Sequence, residues 1–326
     1  MLLNLLEYHW AEAIDDALIL LARSGTYTVP LAGGTYLMGR DDERIQAVVD
    51  LRDLDLAYIR EDARGIHIGA MTTLQDMADS PVLRDLAAGL LARASQWSSP
   101  SRLIRNSATL GGTLAIGAAS QADLLTALAA MEAEALLRSG SKSQFDLGAG
   151  SFDRPGLALA GVTFKGKQER RLATTALLSE RRPNELIVEV SVPRLGFGFG
   201  ASFQRVARTP TDVALLNAAA VVEVTEGIYS HVRLALGGAH MEPARLPRVE
   251  QHLEGQSAMN DESNTINTQL LVSALQAGMA NFQPPPEIQA SSGYRRTAAI
   301  NLAFRALEEA VTISRWRRMV SSKERQ

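Results

Sequence analysis

Two segments of the chain share a Gly-Gly-Thr core directly after a short apolar stretch: Leu31 to Leu37 reads LAGGTYL, and Thr109 to Ala115 reads TLGGTLA. Paired glycines at the end of an apolar run let another group come close to the backbone, because no Cβ blocks it. Their amide N–H groups can then converge on an anion, with phosphate the usual guest. Thr35 and Thr113 each add a hydroxyl that can donate to a phosphate oxygen. One such turn is most often only a tight turn. Two of them with the same flanking chemistry suit a diphosphate held from two sides.

The rest of the chain supports a large fold around these turns. With 326 residues, 46% of them hydrophobic and 21% charged, there is enough chain for two domains and enough apolar surface for a core. Ile14, Ala17, Leu18 and Leu21 fall on one helical face before Gly25, and YTVPLAGG then reads as a strand ending in a turn. Ile45 to Leu51 and Gly65 to Met71 read as strands, TTLQDMADSP as a capped helix, and Val82 to Ser95 as one long helix. A polar loop, QWSSPSRLIRNSA, leads into the second turn, and ADLLTALAAMEAEALLRS runs from helix into strand. From about Leu186 the runs ELIVEVSVP, GASFQRVA, VALLNAAAVVEV and HVRLALGGA alternate as antiparallel sheet, followed by helices at 246–253, 266–281 and 294–313. The weakly patterned TTALLSERRPN marks an expected domain break near residue 180.

Several function classes are excluded or lack support. A net charge of −3 gives no attraction for a polyanion. The absence of cysteine excludes disulfides, zinc–thiolate sites and cysteine-ligated iron–sulfur clusters in this chain. His9, His67, His231, His240 and His252 show no metal-ligand spacing, so no metal residues are assigned. No nucleophile–base pattern appears, so no catalytic residues are assigned either, and Glu132 and Glu134 read as solvent-exposed. GFGFG at 196–200 is followed by strand-like alternation instead of a helix, which favours a hairpin connection over a dinucleotide fingerprint. The amino terminus has no basic region before its apolar residues, so neither a signal peptide nor a membrane span is expected, and a cytoplasmic location is. RWRRMVSSKERQ at 315–326 reads as a basic, solvated tail. With no chemistry of its own on display, the chain is expected to work through a cofactor.

LAGGTYL, IGAMTTLQDMADSPVL, IRNSATLGGTLA, ADLLTALAAMEAEALL, ELIVEVSVP, FQRVARTPTDVALLNAAAVV, VRLALGGAHMEPAR, LEGQ and GYRRTAAINLAFRALEEA occur in that order. Together they resemble the FAD-binding subunit of molybdenum hydroxylases, the xanthine dehydrogenase and carbon monoxide dehydrogenase group. The resemblance implies an α+β chain. A two-subdomain FAD-binding domain of the vanillyl-alcohol-oxidase (PCMH) type would span 1–178, its internal boundary near 55–65, and a smaller α+β domain would span 182–314. It implies FAD in this chain, with molybdopterin cofactor and [2Fe-2S] clusters in a large and a small partner subunit, as a heterotrimer or a dimer of heterotrimers. Electrons would pass from those clusters through FAD to NAD, a quinone or oxygen.

Carried over residue by residue, Pro30, Leu31, Ala32, Gly33, Gly34, Thr35, Tyr36 and Leu37 would line the FAD diphosphate. Thr109, Leu110, Gly111, Gly112 and Thr113 would grip its other side. Asp123 would make a polar contact to FAD, Ile187 would pack near the isoalloxazine ring, and Ser99 and Gln204 would be further flavin contacts. Three departures stand out: Tyr36 replaces a small polar or acidic residue, the loop after Thr113 lacks a proline and is one residue longer, and Gln204 replaces a lysine. They motivate an alternative, a flavin-free paralogue acting as an assembly scaffold. A stand-alone flavin oxidase is a third reading.

Overall fold

The computed structural model of the chain describes residues 2, 4–140, 168–209, 211–260 and 263–323. The first layer contains β1 (Glu7–Trp10), α1 (Ile14–Leu21), β2 (Thr28–Leu31) and β3 (Ala47–Asp50), with the strands parallel in the order β1-β3-β2. The spacing of apolar residues in α1 turns Ala17 and Leu18 onto Val49 and Leu51. β3 lies between the other two strands and is buried at all four positions. Pro30, which has no N–H to donate, falls on the edge strand β2, where its missing donor removes no bond to a second neighbour.

The second layer is a five-stranded antiparallel sheet of β4 (Ile59–Glu61), β5 (Gly65–Gly69), β6 (Glu134–Ser139), β7 (Gln168–Ala173) and β8 (Glu185–Pro193), ordered β4-β5-β8-β6-β7. On one face Ile66, Ile68, Ile187 and Val190 join the core formed with α2 (Leu74–Asp79), α4 (Leu90–Trp97) and α7 (Ala122–Ala130). On the other, Leu186, Val188 and Leu136 meet Leu18 and Val49 of the first layer. The second unit was expected to begin at 182, but β8 is the central strand of this sheet, paired with β5 on one side and β6 on the other. The secondary structure of the first unit therefore runs through the expected break to Pro193. The segment 141–167, inside the expected first domain, lies outside the described residues.

The expected helix over 82–95 is two helices. α3 (Pro81–Asp85) ends in a short 3₁₀ turn in which Ala87, Ala88 and Gly89 all have positive φ (44°, 54° and 76°), and α4 starts at Leu90. Two alanines in a left-handed conformation break the helix although their propensity favours continuing it, because burial of Leu86, Leu90 and Leu91 sets the direction of the chain.

The remaining strands, β9 (Phe199–Val206), β10 (Leu216–Thr225), β11 (Ile228–Gly238) and β12 (Met241–Arg245), form an antiparallel sheet in the order β12-β11-β10-β9. Three helices follow: α9 (Pro247–Leu253), α10 (Thr268–Gly278) and α11 (Ser292–Lys323). This sheet is covered on both faces. Ala201, Phe203, Ala219 and Val221 pack into the core of the first unit, while Ala218, Ala220 and Val222 pack against the carboxy-terminal helices. GFGFG leads into a strand, as its context suggested, but it links β8 and β9 of two different sheets and is not a hairpin. Gly200 allows α11 to approach: a Cβ there would lie 2.1 Å from the Ala310 carbonyl oxygen.

Two further expectations are corrected. The basic segment from 315 continues α11, where Arg318 donates to Glu223 (2.6 Å) and Thr225 (2.7 Å) and Arg317 donates to the carbonyl of Asp85 (3.1 Å). These partners hold the helix end; 324–326 lie outside the described residues. Glu134 is exposed, but Glu132 is not a free surface carboxylate. It pairs with Arg233 (2.8 Å) and Arg245 (2.6 Å), so the end of α7 is tied to β11 and β12. Burial pushes its pKa up, but hydrogen bonds and charge from Arg233 and Arg245 outweigh this and hold the carboxyl below its ordinary value.

Glu132 thus contributes stability that is present above the ordinary glutamate range and lost as pH falls through its depressed value. In thermal melts at neutral pH, Glu132→Gln should be less stable than the native chain, and the gap should close on acidification. Gly237 tests the same junction by packing, because a Cβ there would lie 1.9 Å from Thr126 Oγ1 on α7. Gly237→Ala should cost about 1–3 kcal/mol in denaturant titration.

Candidate cofactor site at the Gly-Gly-Thr segments

The two segments meet. Gly33 follows β2, and a Cβ on it would lie 1.5 Å from the Ser107 carbonyl oxygen, two residues before Thr109. A Cβ on Gly112 would lie 3.9 Å from the Cβ of Ala32. Only a glycine at 33 lets the backbones come this close.

Their local structures differ. Gly34 has φ +68°, a left-handed turn that sends the chain into a 3₁₀ helix over Leu37–Gly39, closed by Met38 N–H donating to the Gly34 carbonyl (3.0 Å). The N–H groups of Gly33, Gly34, Thr35 and Tyr36 donate to no atom of the described residues. Four successive amides without acceptors around a left-handed glycine are what an anion-binding turn requires, and the exposed Thr35 adds its hydroxyl. Pro30 and Leu31 lead in from β2, and Leu37 packs beside Val48 and Leu31. Tyr36, 37% exposed, lies under the guanidinium of Arg40 at 5.2 Å.

The second segment was expected to be a tight turn at the end of a polar loop. It is instead the start of α6 (Leu110–Ile116), with Thr109 as N-cap accepting from Gly112 N–H (3.2 Å). Its amides are occupied: Leu110 N–H donates to the Thr72 carbonyl, Gly111 to that of Ala70 and Thr113 to that of Thr109. A Cβ on Gly111 would lie 2.8 Å from the Ala70 Cβ, so this glycine serves helix–strand packing. Thr113 Oγ1 is buried and has no hydrogen-bond partner among the described residues. The second segment can thus offer that hydroxyl and a close-packed wall, but not a second set of free amides.

The remaining expected contacts separate. Ser99 is buried, its carbonyl accepting from Arg105 (2.6 Å), which also donates to Gln75 (2.9 Å). Asp123, on the first turn of α7, is buried; it accepts from Asn217 Nδ2 (2.7 Å) and pairs with Arg205 (3.2 Å). Burial pushes its pKa up, and the Arg205 charge and the Asn217 hydrogen bond offset that only in part. Ile187 is buried in the main core opposite Leu137. Gln204 is a correction: it donates to Glu309 of α11 (2.6 Å), on the face of β9 turned away from the first unit. The period-two alternation of a strand puts its neighbour Arg205 on the facing side. Arg205 was the residue missed, and the signal was already there in Phe203, an apolar residue two positions earlier on the same side of β9.

Two clefts open on either side of the loop between α6 and α7. One, of about 40 Å³, is lined by Trp97, Ser98, Pro100, Ala119, Asp123, Arg205 and Asp212 among others. The other, of about 210 Å³, is lined by Gly117, Ala118, Ala122, Leu178, His240 and Met241 among others. No group of three or more His, Cys, Asp or Glu among the described residues could hold a metal, and no helix among them is long and apolar enough to cross a membrane.

A parallel-sheet layer and an antiparallel layer meeting at a turn with unpaired amides, followed by a second antiparallel sheet backed by helices, define a mixed α/β fold. A family model described as the FAD binding domain in molybdopterin dehydrogenase matches residues 4–195, and one described as the CO dehydrogenase flavoprotein C-terminal domain matches 201–310. The chain belongs to this family, the FAD-binding medium subunits of the xanthine and carbon monoxide dehydrogenase group, which are oxidoreductase subunits. It is 26% identical over 306 residues to the glyceraldehyde dehydrogenase medium chain of Sulfolobus acidocaldarius, covering 93% of this chain and 97% of that one. It is 27% identical over 308 residues to the carbon monoxide dehydrogenase medium chain of Hydrogenophaga pseudoflava, covering 93% and 96%. A solved structure of that organism's carbon monoxide dehydrogenase, lacking the Mo-pyranopterin moiety, shares the fold with TM-score 0.76 and 24% identity, over 96% of this chain and 99% of that one.

Of the four glycines in these two segments, 33 and 111 would meet the closest atoms, so the order of sensitivity can be checked. Gly33→Ala should destabilise by about 1–3 kcal/mol in urea titration. Gly112→Ala should cost clearly less, since its nearest contact is its own cap, Thr109 Oγ1, at 3.0 Å.

Proposed function

We propose that the chain is the flavin-carrying electron-transfer subunit of a molybdenum hydroxylase complex. The observation that carries this reading is the run of four unpaired amides from Gly33 to Tyr36 beside the Thr35 hydroxyl. Such a run of donors, open to solvent and without acceptors among the described residues, suits a diphosphate. Pro30 to Leu37 bind the FAD diphosphate through these amides. Thr109 to Thr113 close its other side by packing, with the Thr113 hydroxyl free to donate.

Bound there, FAD supplies exchange between one-electron and two-electron carriers. The protein's own residues bind and orient. Asp123 and Arg205 keep the interdomain seam polar, Ile187 and Ser99 line the flavin end, and the larger cleft, beside Gly117, Ala118 and Ala122, is open on the surface next to the loop before α7. Electrons enter from iron–sulfur clusters in a small subunit, having left substrate at the molybdenum centre of a large subunit, and leave to NAD, a quinone or oxygen. The complex works in the cytoplasm. Free amides at the first turn disfavour the flavin-free scaffold, whose selection would not preserve an empty anion cradle.

The full chain, purified with added FAD and desalted, should retain about one flavin per chain by absorbance. Gly34→Val should retain little, because a β-branched residue resists φ +68° and crowds Met38. Native protein that stays colourless would leave the scaffold reading standing and sink this one.

A further inference from the structure

Asn217 is fully buried in β10, inside the otherwise apolar run LLNAAAVV. Because β10 is covered on both faces, an apolar residue would fill this position at lower cost. Asn217 stands in a row across the sheet, paired with Arg205 of β9 on one side and Gly237 of β11 on the other. Over this row runs α7, presenting Asp123 and Thr126, three residues apart and so on one helix face. Asn217 Nδ2 donates to Asp123 Oδ1 (2.7 Å), and Thr126 Oγ1 donates to Asn217 Oδ1 (2.7 Å). Asp123 Oδ2 meets Arg205 Nε (3.2 Å), and Arg205 is itself anchored on the Asp212 carbonyl (2.6 Å). A Cβ at 237 would lie 2.8 Å from Asn217 Oδ1, so the glycine makes room for the amide. One residue from each of α7, β9, β10 and β11 thus serves a single carboxylate.

We infer that Asn217 is a positioning residue that holds the Asp123 carboxylate in place for the cofactor, an inference that rests on the flavin reading above. Packing alone asks for no charge here, since apolar residues across the seam would hold α7 on the sheet without desolvating a carboxylate. Asp123 instead lines the small cleft between α7, the loop 98–100 before α5 (Arg102–Arg105) and the loop 211–214. Arg205 and Asp212 are the other charged groups lining it, and Asp212 pairs with Arg208 (3.3 Å). A carboxylate fixed from two sides at a cleft accepts hydrogen bonds from a ligand hydroxyl or N–H, and FAD carries both. Burial pushes the Asp123 pKa up, while the Arg205 charge and the Asn217 donor pull against that. Removing the donor therefore frees the carboxylate to turn and favours its neutral form.

The test titrates FAD into the full chain from about pH 6 to about pH 8, beside thermal melts of each variant. Asn217→Leu should weaken FAD binding roughly tenfold or more. The pH below which binding falls away should also lie higher than in the native chain, a displacement that lost packing would not produce. The double exchange, Asp123→Asn with Asn217→Asp, keeps every hydrogen bond of the row but moves the charge from α7 to β10. Its thermal midpoint should stay near the native one while FAD binding weakens by a similar factor. Native FAD affinity in either variant, or a loss in Asn217→Leu of the same size at every pH, would overturn the inference. A native chain that binds no FAD at any pH would instead refute the flavin reading, which keeps the two failures apart.

Discussion

The contact between Gly33 and the Ser107 carbonyl is the constraint on which the site depends. It joins the carboxyl end of a three-stranded parallel layer to the loop that opens α6, so two segments about 75 residues apart in sequence become one wall. No side chain could stand at 33 without pushing these backbones apart by more than a bond length. The left-handed turn at Gly34 follows, and the amides from Gly33 to Tyr36 are left without acceptors among the described residues. The unpaired donors are therefore a consequence of how two layers are packed, and their chemistry is supplied by the main chain.

The second unit depends on the first in the same way. Its sheet has no solvated face, because alternate residues of β10 enter two different cores. What crosses the seam is polar as well as apolar, and the two carboxylates that cross it behave in opposite ways. Glu132 is partly exposed and meets two arginines, so attraction exceeds desolvation and the charged form is favoured. Asp123 is nearly enclosed and meets one arginine and one amide, so desolvation wins and the charged form is disfavoured. A buried carboxylate whose charged form is disfavoured, lining a small cleft, can respond to charge placed there. Glu132 acts as a clamp.

Local features were legible in the sequence and long-range ones were not. The first Gly-Gly-Thr turn, the break of pattern at GFGFG and the alternation after Leu186 are written in neighbouring residues and correspond to real features of the chain, whereas the second Gly-Gly-Thr segment opens a helix. That β8 completes the sheet of the first unit depends on pairing with β5, more than 110 residues earlier, for which a lone alternating run carries no mark. The break at Ala87 and Ala88 runs against propensity and is imposed by packing. Gln204 faces Glu309 of α11, which the motif could not reveal because a motif names a residue and does not say which face of the strand it occupies. Arg317 and Arg318 read as part of a solvated run because their partners, Glu223, Thr225 and the carbonyls of Phe199 and Asp85, are distant in sequence.

The same distinction explains why a repeated motif need not repeat a function. In LAGGTYL the absence of Cβ atoms serves the approach of Ser107 and a left-handed turn, and it leaves amides without acceptors. In TLGGTLA it serves the approach of Ala70 to a helix start, and every amide of the first turn finds an acceptor within the protein. Two jaws of equal chemistry would demand two sets of free donors. The structure has one set, opposed by a packed helix end with a single buried hydroxyl at Thr113. Tyr36, the most visible departure from the family pattern, contributes to the cradle through its amide, which any side chain leaves in place. Its ring is turned outward under Arg40, so the substitution changes the surface beside the site and leaves the grip itself intact.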